Sequence, residues 1–160
     1  MTQQIKFTLN GTAVVSERHP GVKLLDVLRE DFADTGVKCG CREGECGACS
    51  VLLDGLVANS CMVALGAVAG RNVLTIEGFA KVLPQRYAAL QKAFAAVSAV
   101  QCGFCIPGMV LSAEFLLNKH PHPTAAQIRD GLSGNLCRCT GYNAIVEAVE
   151  IAAKEGNGIW

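Results

Sequence analysis

Gly40-Cys41-Arg42-Glu43-Gly44-Glu45-Cys46-Gly47-Ala48-Cys49 decides how the first half of this chain is read. The stretch has neither a helical period nor a strand alternation, so it is a loop, and its cysteines alternate with glycines. Upstream, Ile5, Phe7 and Leu9 alternate with Lys6 and Thr8 as in a half-buried strand. Asn10-Gly11 then makes a two-residue hairpin turn, because both positions accept positive φ, and Thr12–Ser16 returns as a second strand. Pro20-Gly21 breaks the chain before a short amphipathic helix carrying Leu24, Val27, Leu28 and Phe32. Downstream, Ser50–Leu53, Asp54-Gly55 and Leu56–Ala58 form a second hairpin, with a last strand expected over Val73–Ile76. Residues 1–79 thus read as a small α+β domain wrapped round a cysteine loop.

The spacing Cys41-x4-Cys46-x2-Cys49, with Cys61 further on, is that of a plant-type 2Fe-2S loop. Four thiolates and two sulfides around two ferric ions leave an anion, and backbone N–H groups must curl inward to stabilise it. Glycine permits that curl because it has no Cβ penalty at positive φ. Cys61 closes the set from beyond the second hairpin. Zinc sites more often show two symmetric cysteine pairs, which this loop lacks. Cys39 is the ninth cysteine; using it as a ligand would open an x6 gap to Cys46. It reads as a non-ligand neighbour, a small buried hydrophobe that is oxidation-sensitive only if exposed.

After residue 79 the texture changes. Leu83, Tyr87, Leu90, Phe94 and Val97 mark one face of a helix starting near Pro84. A second helix opens at Pro107 and stops near Lys119, before His120-Pro121-His122-Pro123. Thr124-Ala125-Ala126-Gln127 is a capping box for a third, which ends between Gly131 and Gly134. Tyr142, Ile145, Val149 and Ala152 line the fourth. Residues 80–160 therefore read as an all-α, four-helix domain whose cysteines fall in two breaks, Cys102-x2-Cys105 and Cys137-x-Cys139. Spacing alone gives four thiolates from two helix junctions, and a zinc site could be written the same way. Position at helix N-termini favours an anion there.

Composition bounds the rest. With 160 residues, 51% of them hydrophobic, the chain can bury a core and is not disordered. Zero net charge without a Lys/Arg run argues against nucleic acid as a partner. No apolar stretch approaches the ~20 residues that span a bilayer. Met1–Thr8 lacks the apolar segment of a signal peptide and reads as a strand, which places the chain in the cytoplasm. In that reducing compartment nine cysteines point to metal or redox chemistry, not disulfides. No nucleotide-binding glycine motif occurs, and His19, His120 and His122 lie away from the cysteine sets.

Three segments together go beyond generic spacing: the opening loop, Gln101-Cys102-Gly103-Phe104-Cys105-Ile106-Pro107-Gly108-Met109, and Gly134-Asn135-Leu136-Cys137-Arg138-Cys139-Thr140-Gly141-Tyr142. In this order they resemble the iron–sulfur subunit of the molybdenum hydroxylases, the family of xanthine dehydrogenase, aldehyde oxidoreductase, carbon monoxide dehydrogenase and hydroxybenzoyl-CoA reductase. The resemblance covers almost the whole chain. It implies a plant-ferredoxin-like β-grasp domain with one 2Fe-2S cluster on Cys41, Cys46, Cys49 and Cys61. A second cluster is implied on Cys102, Cys105, Cys137 and Cys139 in the helical domain. It also implies partners: a large molybdopterin-binding subunit and a medium FAD-binding subunit, in a heterotrimer or its dimer. Electrons would pass from molybdenum through the helical-domain cluster, then the ferredoxin-like cluster, to FAD. By position Gln101 and Cys139 would touch the molybdopterin cofactor, and no residue of this chain would be catalytic.

Departures from the family pattern are small. Cys39 stands where other residues are usual, and Ile106 replaces a frequent threonine, removing a hydroxyl near the second set. Arg138 serves either a hydrogen bond or packing, and Glu45 either an acidic rim or a solvated carboxylate. Trp160 ends an apolar tail, docked on a partner or frayed. The Gly-Glu-Cys form of the first motif points to a purine or other N-heterocycle as the substrate of the complex. The alternatives are an aldehyde- or carbon monoxide-oxidising homologue, or a stand-alone ferredoxin-like carrier.

Overall fold

A hairpin starts the described chain. β1 (Ile5–Leu9) and β2 (Thr12–Ser16) pair antiparallel and turn through Asn10 and Gly11, at φ 53° and 79°. The computed structural model describes residues 4–156 and 158–160; Met1–Gln3, where a strand was expected to begin, and Asn157 in the tail lie outside them. α1 (Leu24–Glu30) follows, then the cysteine loop, then β3 (Ser50–Leu53) and β4 (Leu56–Asn59) around a tight turn at Asp54 and Gly55. β5 (Asn72–Leu74) inserts between β1, to which it is parallel, and β3, to which it is antiparallel. The mixed sheet has the order β2-β1-β5-β3-β4, with α1 across one face: the expected β-grasp arrangement.

The two faces of this sheet serve two cores. Leu24, Leu25, Val27 and Leu28 of α1 pack with Phe7, Val51, Leu53 and Val73 on the first. On the second, Leu52 joins the helical core, with Val57 and Leu74 packed beside it. All four residues of β3 are therefore buried, a continuous run in place of alternation.

The helical half comprises α2 (Ile76–Val82), α3 (Pro84–Ala96), α4 (Ile106–Lys119), α5 (Ala125–Gly131) and α6 (Asn143–Glu155). The last four are the expected helices, and the Thr124/Gln127 capping box is formed. α2 is additional: Ile76, expected to end a strand, instead starts a helix. Tertiary hydrogen bonds cause the difference. Thr75 donates from Oγ1 to Asp34 Oδ2 at 2.5 Å and from its N–H to Asn10 Oδ1 at 2.9 Å. Glu77 accepts the Gly36 N–H at 2.6 Å. Any Cβ on Gly78 would overlap the Asn10 side chain, so a glycine is what lets the helix lie this close to the hairpin.

Leu90 and Phe94 of α3 are buried as expected, and half-buried Tyr87 meets Phe79 edge to face at 5.6 Å. α4 supplies Met109, Leu111 and Leu117 to the core together with one buried carboxylate, Glu114. Arg86 pairs with Glu114 at 2.8 Å and also donates to the Ile159 carbonyl at 2.7 Å. Trp160 Nε1 donates to the other Glu114 oxygen at 2.7 Å. The Trp160 indole thus docks on its own chain and is not frayed.

Asp34 is buried with Oδ1 unpartnered, and burial raises its pKa despite the Thr75 and Asn10 hydrogen bonds. A carboxyl whose folded pKa is raised stabilises the fold fully below its unfolded pKa and loses that contribution as pH rises through the folded value. Asp34→Asn keeps an acceptor for Thr75 and removes the buried charge. We expect it to stabilise the chain at pH 7 by about 1 kcal/mol, a Tm rise of about 2–4 °C, with the two proteins converging towards pH 4 in thermal unfolding curves.

Candidate metal centres

The first cysteine loop runs between α1 and β3. Within it the Cys41 and Cys46 N–H groups each donate to the other's Sγ at 3.4 Å, and the Glu43 N–H donates to Cys41 Sγ at 3.4 Å. These N–H groups, that of Glu43 foremost, pull the Cys41 thiol down to about 6. A Cβ on Gly40 would lie 2.8 Å from Cys46 Sγ, so only glycine leaves room for the sulfur. Cys49 and Cys61 close the inner side, 2% and 1% exposed. Cys61 sits in a 3-10 turn directly after β4, tied to β3 by Ser60, whose N–H and hydroxyl both donate to the Cys49 carbonyl. Burial pushes the Cys49 thiol up to about 11. Cys39 is half-buried against the first core, and Arg42 Nη1 lies 3.6 Å from its sulfur while Asp26 holds the same guanidinium at 2.7 Å.

The second set gathers from two helix junctions. Cys102 and Cys105 lie between α3 and α4, with Cys105 at the N-cap of α4. Cys137 and Cys139 lie in the loop from α5 to α6, ahead of a helix whose N-cap is Tyr142. Cys139 and Cys102 approach to 3.5 Å, and this shared hydrogen bond raises the Cys139 pKa. Burial, then the neighbouring Cys137, drives Cys105 up to about 12. Burial also acts upward on Cys137, but Thr140 outweighs it by donating from hydroxyl and N–H at 3.1 and 3.5 Å, and the thiol settles at about 7. Gln101, Cys102, Arg138 and Cys139 are exposed, and the apolar side chains of Phe104 and Leu136 stand out beside them, 47% and 55% exposed.

The donor chemistry fits iron–sulfur clusters. The thiols associate two by two: Cys41 with Cys46, Cys49 with Cys61, Cys102 with Cys139, Cys105 with Cys137. Among the described residues no three His, Cys, Asp or Glu side chains converge on a single-ion site. Two irons taking two thiolates each match the pairing, and the N–H groups aimed at Cys41 and Cys46 suit an anionic guest.

The two loops touch. The Leu136 N–H donates to the Cys46 carbonyl at 2.9 Å, and Asn135 Nδ2 donates to the Gly47 carbonyl at 3.1 Å. A Cβ on Gly47 would strike the Gly134 carbonyl, and one on Gly108 would strike that of Gly47. The Phe104 ring stands 3.7 Å from the position of a Gly40 Cβ, so it bridges the second loop to the first.

Comparison with known proteins agrees with this geometry. Residues 7–72 match the 2Fe-2S iron-sulfur cluster binding domain, and residues 75–150 match the [2Fe-2S] binding domain. The chain is 46% identical over 150 residues to the nicotinate dehydrogenase small FeS subunit of Eubacterium barkeri, covering 94% of each. It is 43% identical over 150 residues to the xanthine dehydrogenase iron-sulfur-binding subunit of Escherichia coli O157:H7, covering 92% of each. The chain belongs to the iron–sulfur subunits of the molybdenum hydroxylase family. The crystal structure of the aldehyde oxidoreductase from Desulfovibrio desulfuricans superimposes with a TM-score of 0.90 at 40% identity, covering 98% of this chain and 17% of that one.

For an iron–sulfur subunit, sequence spacing alone overlooks Asn135 and Gly108, which carry no metal chemistry but let the loops meet. A glycine directly after Pro107 and an asparagine two residues before Cys137 were the signals that the sequence offered. The thiol pKa values give a direct check. In the metal-free chain at pH 7, Cys41 is expected to be mostly thiolate and Cys137 about half, whereas Cys49 and Cys105 stay protonated. Alkylation mapped by mass spectrometry should label Cys41 and Cys137 well ahead of Cys49 and Cys105. Cys41 labelling should level off above pH 7, while Cys137 labelling keeps rising to about pH 8.

Proposed function

We propose that this chain is the electron-transfer subunit of a molybdopterin-dependent hydroxylase, carrying single electrons between a molybdenum site in a large partner and a flavin in a medium one. Cys41, Cys46, Cys49 and Cys61 are the ligands in a domain spanning residues 1–79, and Cys102, Cys105, Cys137 and Cys139 those in residues 80–160. A bound 2Fe-2S cluster supplies a centre that takes up and gives up one electron. The observation that carries the reading is the 2.9 Å hydrogen bond from Leu136 N–H to the Cys46 carbonyl. It joins the residue before ligand Cys137 directly to a ligand of the other set.

The exposed patch around Gln101, Cys102 and Cys139 is the side offered to molybdopterin, with Phe104 and Leu136 as apolar contact surface. That the matching region is 17% of one longer chain in the aldehyde oxidoreductase supports a large partner. The exposed rim of the first loop, at Arg42, Glu43 and Glu45, is the side offered to the flavin partner. Heterotrimer, or its dimer, is the assembly this implies, in a cytoplasm that keeps eight thiols reduced. Substrate contacts belong to the large partner. A nitrogen heterocycle is the substrate class favoured here, since nicotinate and xanthine, named for two relatives, are both of that kind.

The purified chain is expected to be brown, with about four irons and four sulfides and two distinguishable EPR signals after reduction. Cys46→Ser should remove one signal and Cys105→Ser the other. Zinc in either set from iron-replete cells, or loss of both signals from one substitution, would overturn the reading.

A further inference from the structure

In the second set a side-chain hydroxyl donates to the sulfur of a candidate ligand: Thr140 Oγ1 lies 3.1 Å from Cys137 Sγ. Its own N–H adds a second, longer contact at 3.5 Å. The hydroxyl is not free to turn elsewhere, because the Tyr142 N–H donates to Thr140 Oγ1 at 3.3 Å, occupying its acceptor side and leaving its proton to face the sulfur. Tyr142 is held in turn. Its phenol oxygen accepts the Cys137 N–H at 2.8 Å, closing a ring of hydrogen bonds through residues 137, 140 and 142.

The backbone pays for this ring. Tyr142 takes φ +70°, directly after Gly141 at +68°, a left-handed conformation that is unfavourable for an aromatic residue. It stands as N-cap of α6 although its side chain caps no helix N–H. Strain of this kind persists where surrounding contacts over-determine it, and here those contacts end on a cysteine sulfur. Ile106, the first residue of α4, carries no hydroxyl, so among the side chains around Cys137 it is Thr140 that brings one.

Resting on the reading of the second set as a 2Fe-2S site, we propose that Thr140 sets the reduction potential of that centre and that Tyr142 is the positioning residue that aims it. A hydrogen bond to a ligand sulfur stabilises the more negative, reduced state, and so raises the potential. The Thr140 hydroxyl thereby favours an electron resting on the second centre. Its removal makes that centre a stronger donor towards the first.

The test is a potentiometric titration of the intact complex, followed by the EPR signals of both centres. Thr140→Val, nearly equal in volume, should lower the second midpoint so that its reduced-to-oxidised ratio at a fixed potential falls roughly tenfold, about 59 mV for one electron. Thr140→Ser should return it to within about twofold of the parent, and Tyr142→Phe should shift it less than Thr140→Val and in the same direction. The first midpoint should stay put in all three. An unchanged second midpoint in Thr140→Val, or equal shifts in Thr140→Val and Thr140→Ser, would overturn the proposal. Should Thr140→Val fail to assemble, Thr140→Ala removes the same hydroxyl and is judged by the same two outcomes. Absence of a second iron signal in the parent complex would instead sink the underlying reading, so the two failures are distinguishable.

Discussion

Three stretches of backbone crowd together where Gly47 meets Gly134 and Gly108, and the arrangement of both cysteine sets depends on that contact. A side chain at Gly47 or Gly108 would wedge the loops apart and stretch the Leu136–Cys46 and Asn135–Gly47 hydrogen bonds. Electron transfer falls steeply with distance, so under the proposed function the separation of the loops bears on the rate. Asn135 enforces the same closeness. It is buried, and its amide donates to the Gly47 carbonyl, which also accepts from the Ser50 N–H and hydroxyl and so ties the second loop to the start of β3.

The two sets differ in their environment as well as in their fold. In the first, the paired Cys49 and Cys61 face a packed core, while Cys41 and Cys46 sit under a curl of backbone N–H groups. In the second, Cys102 and Cys139 reach water, and Cys137 accepts from the Thr140 hydroxyl as well as from the Thr140 N–H.

Much of this was legible in local sequence. Alternation at Ile5, Phe7 and Leu9, the Asn10-Gly11 and Asp54-Gly55 turns, and the Thr124/Gln127 box each depend on near neighbours, and each formed as read. The helix at Ile76 was not legible, since Val73-Leu74-Thr75-Ile76 has strand-forming side chains. Its start is decided by Asp34 and Asn10, distant in sequence. Likewise Arg86, Glu114 and Trp160 meet only through the fold, and no spacing rule links a carboxylate inside an apolar helix to an indole 46 residues later. The thiols were plain from their intervals. The groups that bring the loops together and donate to the Cys137 sulfur were not, because glycine, asparagine and threonine are common in turns for other reasons.

β3 has no solvent face. Cutting the chain between the sheet and the helices would leave Leu52, Val57 and Leu74 as a wet apolar stripe on an otherwise well-formed small protein. A truncated carrier of that kind would self-associate before it could shuttle freely. The helical companion thus covers a surface of the first half that water would otherwise meet, and the junction is a matter of solubility.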